Sequence, residues 1–190
     1  MKRITAFLTL FLVMALASCK SDKNVGENPF FAEWNTPYGV PPFDRMTPAH
    51  FLPALERGMS LHDAEIDAIT SNNDAPTFEN VILAYDDSGQ MLAQTELIFG
   101  MLCAAENTAE MQALQEQVMP MLAAHADKIL LNEKLFERVK AVYDRRAALE
   151  LDADQSRLLE KTYRDFVRAG ALLDAEQKAR LKAINGELSL

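Results

Sequence analysis

Apolar residues recur at three- and four-residue spacing along most of this chain, and no window alternates with the two-residue rhythm of a half-buried strand. The pattern predicts an all-α fold, an antiparallel multi-helix array. Phe51, Leu52, Leu55, Met59, Ile66 and Ile69 mark one helical face, entered at Thr47-Pro48, a cap followed by proline at the first helical position. Pro53 leaves two starts open: the helix tolerates it near its end, or restarts there. Thr77 caps a short helix running through Tyr85, and Asp86-Asp87-Ser88-Gly89 is a turn. Met91–Cys103 is a further apolar helix. Asn107-Thr108 opens the next, carrying Met111, Leu114, Val118, Met121, Leu122 and Ile129, with a kink expected at Pro120. Asn132 divides it from a helix over Glu133–Leu149. Asp152 with Gln155, and Asp174 with Gln177, have the spacing of capping boxes for two last helices. The first of these stops at Gly170; the second carries Leu181, Ile184 and Leu188. Its apolar pattern is still running at Leu190, so the chain is expected to end in mid-element and leave an apolar face uncovered.

The N-terminal part follows other rules. Lys2-Arg3, an apolar run from Ile4 to Ala17 and the small residues before Cys19 form a secretory signal over residues 1–18. The run is too short for a stable membrane span. Leu16-Ala17-Ser18-Cys19 resembles the lipobox of bacterial lipoproteins, in which the cysteine thiol receives the lipid. A lipid anchor on Cys19 would place the protein at the membrane of a bacterial cell envelope. Residues 19–28 are polar and read as a tether. The helical region is then 29–190, but its first part, 29–45, is blocked from helix by Pro29, Pro37, Pro41 and Pro42. It also holds Phe30, Phe31, Trp34, Tyr38 and Phe43, and is expected to lie extended across the helices and bury those rings.

Composition narrows the chemistry. A net charge of -9 over 190 residues is wrong for a nucleic-acid binder, which needs clustered Lys and Arg against phosphate. Two cysteines cannot make a disulfide framework, and with Cys19 lipidated Cys103 reads as a small buried hydrophobe. The three histidines, His50, His62 and His125, form neither His-Glu-x-x-His nor His-x3-His. His62 and Glu65 lie one helical turn apart; two ligands make a weak metal site, and an exposed polar pair is the plainer reading. His125, between two apolar turns, reads as a partly buried, hydrogen-bonded residue. Met111–Met121 reads as core. No catalytic, cofactor-binding or metal residue is therefore assigned; lipidation at Cys19 is the one site.

Six segments in order carry a resemblance. They are Asn28-Pro29-Phe30-Phe31 with Pro41-Pro42-Phe43; Thr47-Pro48-Ala49-His50-Phe51-Leu52-Pro53-Ala54-Leu55; Ala75-Pro76-Thr77-Phe78-Glu79-Asn80; Val118 with Pro120; Leu131-Asn132-Glu133 through Arg138-Val139; and Leu158-Leu159-Glu160 through Gly170. Together they resemble the N-terminal region of the thimet-oligopeptidase-like zinc metallopeptidases, within that family most nearly bacterial peptidyl-dipeptidases and oligopeptidase A. The resemblance implies an all-helical enzyme several times longer, in which this region is one wall of a deep channel admitting short peptides. It also implies a zinc ion held by an HExxH helix and a downstream Glu, none of which occurs within 1–190. The parent protein is thus expected to be a lipid-anchored zinc peptidase, and this chain, missing the C-terminal catalytic region, to be inactive alone and to bind no zinc. The rival expectation is a non-enzymatic all-α lipoprotein that binds peptides or a partner.

Overall fold

The computed structural model describes residues 28–106 and 108–189, so the signal segment, Cys19 and nearly all of the tether lie outside the described residues. The all-α expectation holds among the described residues, where the main helices follow in order between short 3₁₀ turns. They are α1 (Pro48–Ser71), α2 (a π-wound stretch, Phe78–Leu83, continuing as the α-helical turn Ala84–Asp86), α3 (Gln90–Ala105), α4 (Ala109–Leu130), α5 (Glu133–Asp144), α6 (Ala153–Arg168) and α7 (Ala175–Leu188).

The local signals act as their chemistry requires. Side-chain oxygens of Thr77, Thr108, Asn132, Asp152 and Asp174 each accept an N–H of the first helical turn, and Gln155 and Gln177 return the bond to Asp152 and Asp174. At α1 the bond runs the other way: the Thr47 N–H donates to His50 Nδ1 at 3.1 Å. Pro53 is accommodated within α1, which starts at Pro48, and α4 is continuous through Pro120. α6 ends in a left-handed Gly170 (φ 97°), with the Ala171 N–H reaching back to the Phe166 carbonyl at 3.0 Å. One expected boundary moves. α5 stops at Asp144, not Leu149, and a 3₁₀ turn, Arg146–Ala148, follows. The turn lets Leu149 and Leu151 fold onto the same core as α5 and brings α6 back against that helix.

Two hydrophobic cores result. The first joins Phe51 and Leu55 of α1, Leu92, Ile98 and Phe99 of α3, and Met111 and Val118 of α4. The second joins Ile66 and Ile69 of α1 and Ile129 of α4 with α2, α5 and α6 through Val81, Ile82, Val139, Leu159 and Phe166. α1 and α4 therefore serve both. The loop between α1 and α2 is pinned from α5, where Arg138 donates to the Asn72 carbonyl at 2.8 Å and the Asp74 carbonyl at 3.2 Å.

The aromatic segment is only partly covered. Phe30 and Trp34 pack on the first core, the Trp34 indole N–H donates to the Pro29 carbonyl at 2.7 Å, and Arg57 stacks over Phe31. These three rings are half-buried, in line with the expected cover. Tyr38, in a left-handed turn (φ 61°), is fully exposed and Phe43 is exposed, so the segment does not bury all its rings. α7 behaves as its pattern suggests: Leu181 is half-buried while Ile184 and Leu188 are exposed. Its docking is polar instead. Lys178 bonds Glu133 of α5 at 3.1 Å, and Asn185 donates to Asp127 of α4 at 2.7 Å. Met111 is core as expected, but Met119 is exposed.

Candidate functional site

The turns of α1 and α4 that lie between the two cores carry His62 and His125. Their spacing from the core residues decides the outcome. His62 falls between Leu55 and Ile66, and His125 between Val118 and Ile129, so both imidazoles turn toward the neighbouring helix rather than to solvent. His62 Nδ1 and His125 Nε2 are 3.0 Å apart. His125 is buried and His62 half-buried. On the far side, His125 Nδ1 faces Asp63 Oδ1 at 3.8 Å, too long for a hydrogen bond but close enough for charge to act. Lys128 holds the other Asp63 oxygen at 2.8 Å. Asp63 Oδ1 is buried without a hydrogen-bond partner.

The pair borders a cleft of about 260 Å³ between α1, α3 and α4. Leu92, Leu122, Ile129 and Leu130 supply its apolar lining; Tyr85 and Glu96 face it with the two histidines. Burial is the largest influence on each titratable group. It pushes His62 and His125 below the ordinary histidine value of 6.5, with nearby carboxylates of Asp63 and Glu65 opposing at His62 and Asp63 opposing at His125. It raises Glu96, and it raises Tyr85 with help from Asp165 and Asp86. The turn before α3 abuts the same rings. Gly89 adopts φ 71°, its N–H donates to Glu65 Oε2 at 2.7 Å, and a Cβ there would sit 3.1 Å from His62 Nδ1.

Of the expected exposed polar pair, Glu65 is exposed and bonds Gly89, whereas His62 is half-buried and paired with His125. His125 is the buried, hydrogen-bonded residue expected of it. His50 stands apart at the start of α1, where its ring accepts from Thr47 and its carbonyl from Asn28 Nδ2 at 2.9 Å. Cys103 is half-buried against the first core, and burial raises its thiol, the opposite of activation. The histidine pairing was missed because it joins residues 63 apart. A signal existed: each histidine interrupts an apolar helical face at a position where core residues precede and follow it. Among the described residues, no three His, Cys, Asp or Glu side chains are grouped to hold a metal. The arrangement can share and relay protons between two helices; it does not fit a catalytic zinc, which needs three protein ligands and an open position.

No family model matches the chain. Among curated proteins, it is 42% identical over 160 residues to dipeptidyl carboxypeptidase of Escherichia coli and 40% identical over 160 residues to that of Salmonella typhimurium. It is 23% identical over 154 residues to oligopeptidase A of Escherichia coli. The first two matches take in 84% of this chain and the third 81%, but the chain spans only about a quarter of the length of these relatives (24%, 24% and 23%). The chain is a homologue of the N-terminal region of the thimet-oligopeptidase-like zinc metallopeptidases, the family that holds dipeptidyl carboxypeptidase and oligopeptidase A.

Proposed function

We propose that this chain is the N-terminal wall of the substrate channel of a lipid-anchored zinc peptidyl-dipeptidase that hydrolyses short peptides in the cell envelope. The observation that carries the reading is the 42% identity to a dipeptidyl carboxypeptidase, running over 160 residues without recourse to any catalytic motif. Among the described residues, the histidine nitrogens that face one another are already paired. No step of peptide hydrolysis is assigned to a residue of this chain. Zinc, its ligands and the base that activates water belong to the longer polypeptide.

The test compares two proteins on a quenched short peptide with zinc supplied. Residues 19–190 alone are expected to leave it uncut. A longer polypeptide carrying this region together with an HExxH catalytic region should release C-terminal dipeptides, and a chelator should stop it. Chelator-sensitive cleavage by residues 19–190, lost on substituting His62 or His125, would overturn the reading. If the longer polypeptide cuts nothing while the short chain binds peptides, the non-enzymatic binding module takes its place.

The anchor rests on Lys2-Arg3, the apolar run and Leu16-Ala17-Ser18-Cys19. Cys19→Ala is expected to move the protein from the membrane fraction to the soluble one. A mature N-terminus other than acylated Cys19, read by mass spectrometry, would refute this.

A further inference from the structure

α1 and α4 are the helices common to both cores, and the His62–His125 contact crosses between them where the cores meet. Its position makes it a bolt across the seam, and its chemistry makes the bolt sensitive to protons. One hydrogen occupies the 3.0 Å gap between the two nitrogens. Asp63, facing His125 Nδ1, favours the tautomer protonated there, so that His125 Nε2 accepts from the His62 Nδ1–H. A first added proton goes to the free Nε2 of His62 and leaves that bond intact. A second proton has one place left, His125 Nε2, the acceptor itself. Two N–H groups then confront one another, both rings are cationic, and the bond is lost.

We propose that His62 and His125 form an acid-released latch between the two cores: one shared N–H···N bond ties α1 to α4 near neutral pH, beside the Lys128–Asp63 ion pair, and the second proton parts the rings and widens the cleft beside them. The surrounding charges set the threshold. Asp63 and Glu65 on α1 favour protonation, and Lys128 on α4 opposes it. Glu96 of α3 and Tyr85 of α2 face the same cleft. Burial raises both, so Tyr85 stays neutral and Glu96 gives up its negative charge at a higher pH than an exposed glutamate. Because both imidazoles are held below 6.5 in the folded chain, the unfolded chain takes up protons first. The pair's contribution to stability is full above about 6.5 and falls as the pH drops through the lowered values.

The test uses the chain with ¹⁵N-labelled imidazoles. Their NMR titration should show two coupled steps, both below the ordinary histidine value. Amide hydrogen exchange in residues 55–66 and 118–129, corrected for the intrinsic effect of pH, should lose protection about tenfold or more between pH 7.5 and pH 5. His62→Gln keeps a hydrogen-bonding partner for His125 that cannot become charged, and should hold its protection over the same range; His125→Gln should do likewise. A wild-type seam that stays protected at pH 5 would overturn the latch, as would a His62→Gln variant that loses as much as wild type. If both variants fail to fold, the wild-type titration decides: coupled steps support the latch, and two independent steps at the ordinary value sink it.

Discussion

Phe166→Ala is expected to cost about 3–5 kcal/mol of folding stability, a large share of the ~5–15 kcal/mol that holds a domain together. Phe166 is fully buried on α6 at the centre of the second core. Its ring lies 5.3 Å from Tyr85 of α2 and 6.0 Å from Phe136 of α5, so one side chain joins three helices. Truncation removes those contacts and leaves a cavity that α2 and α5 are poorly placed to fill, since each is also tied elsewhere. α5 is held to the loop through Arg138, and α2 is held at its start by Thr77 and Asn80. Phe166→Leu keeps most of the volume and should cost less than about 1.5 kcal/mol. Urea unfolding reads both: the midpoint shifts while the slope stays constant if the core, and not the unfolded state, is what changed. A loss under about 1 kcal/mol for the alanine variant would mean that the second core collapses onto the gap and that Phe166 does not organise it.

What could be read from sequence divides along the range of the interactions. Asp152 with Gln155 and Asp174 with Gln177 close their capping boxes three positions apart, so four residues of sequence contain the whole device. Thr77 and Gly170 were legible for the same reason. The end of α5 was not. Its helical pattern continues past Asp144, and the chain turns there because Leu149 and Leu151 reach a core built largely by other helices. Tyr38 and Phe43 show the converse. Their apolar character argued for burial, yet the turn at Thr36–Val40 carries Tyr38 away from the helices. The histidine pair is the extreme case: its meaning lies in a contact across two helices, and nothing within either helix announces the partner.

Three glycines inside helices put the same distinction to a direct test, with opposite signs expected for one kind of substitution. Helix propensity alone favours alanine over glycine at each by up to about 1 kcal/mol. Gly100 in α3 and Gly186 in α7 have open space where a Cβ would go, so Gly100→Ala and Gly186→Ala should stabilise by about 0.4–1 kcal/mol. Gly58 in α1 is different. A Cβ there would stand 2.9 Å from the Leu92 Cα and 3.1 Å from its backbone nitrogen. The obstacle is the backbone of α3, which no rotamer change can move aside. Accommodating a side chain means separating α1 from α3, and that loosens Phe51, Leu55 and Phe99 in the first core together. Overpacking of this kind costs about 1–3 kcal/mol, which outweighs the propensity gain even for alanine. Valine adds two methyl groups at the same point and a β-branched side chain in mid-helix, so Gly58→Val is expected at the upper end, about 3 kcal/mol. Thermal melts of the three alanine variants and of Gly58→Val make the comparison. If Gly58→Ala stabilises as much as Gly100→Ala, α1 and α3 are not in the close contact that places His62 beside Gly89 and the cleft.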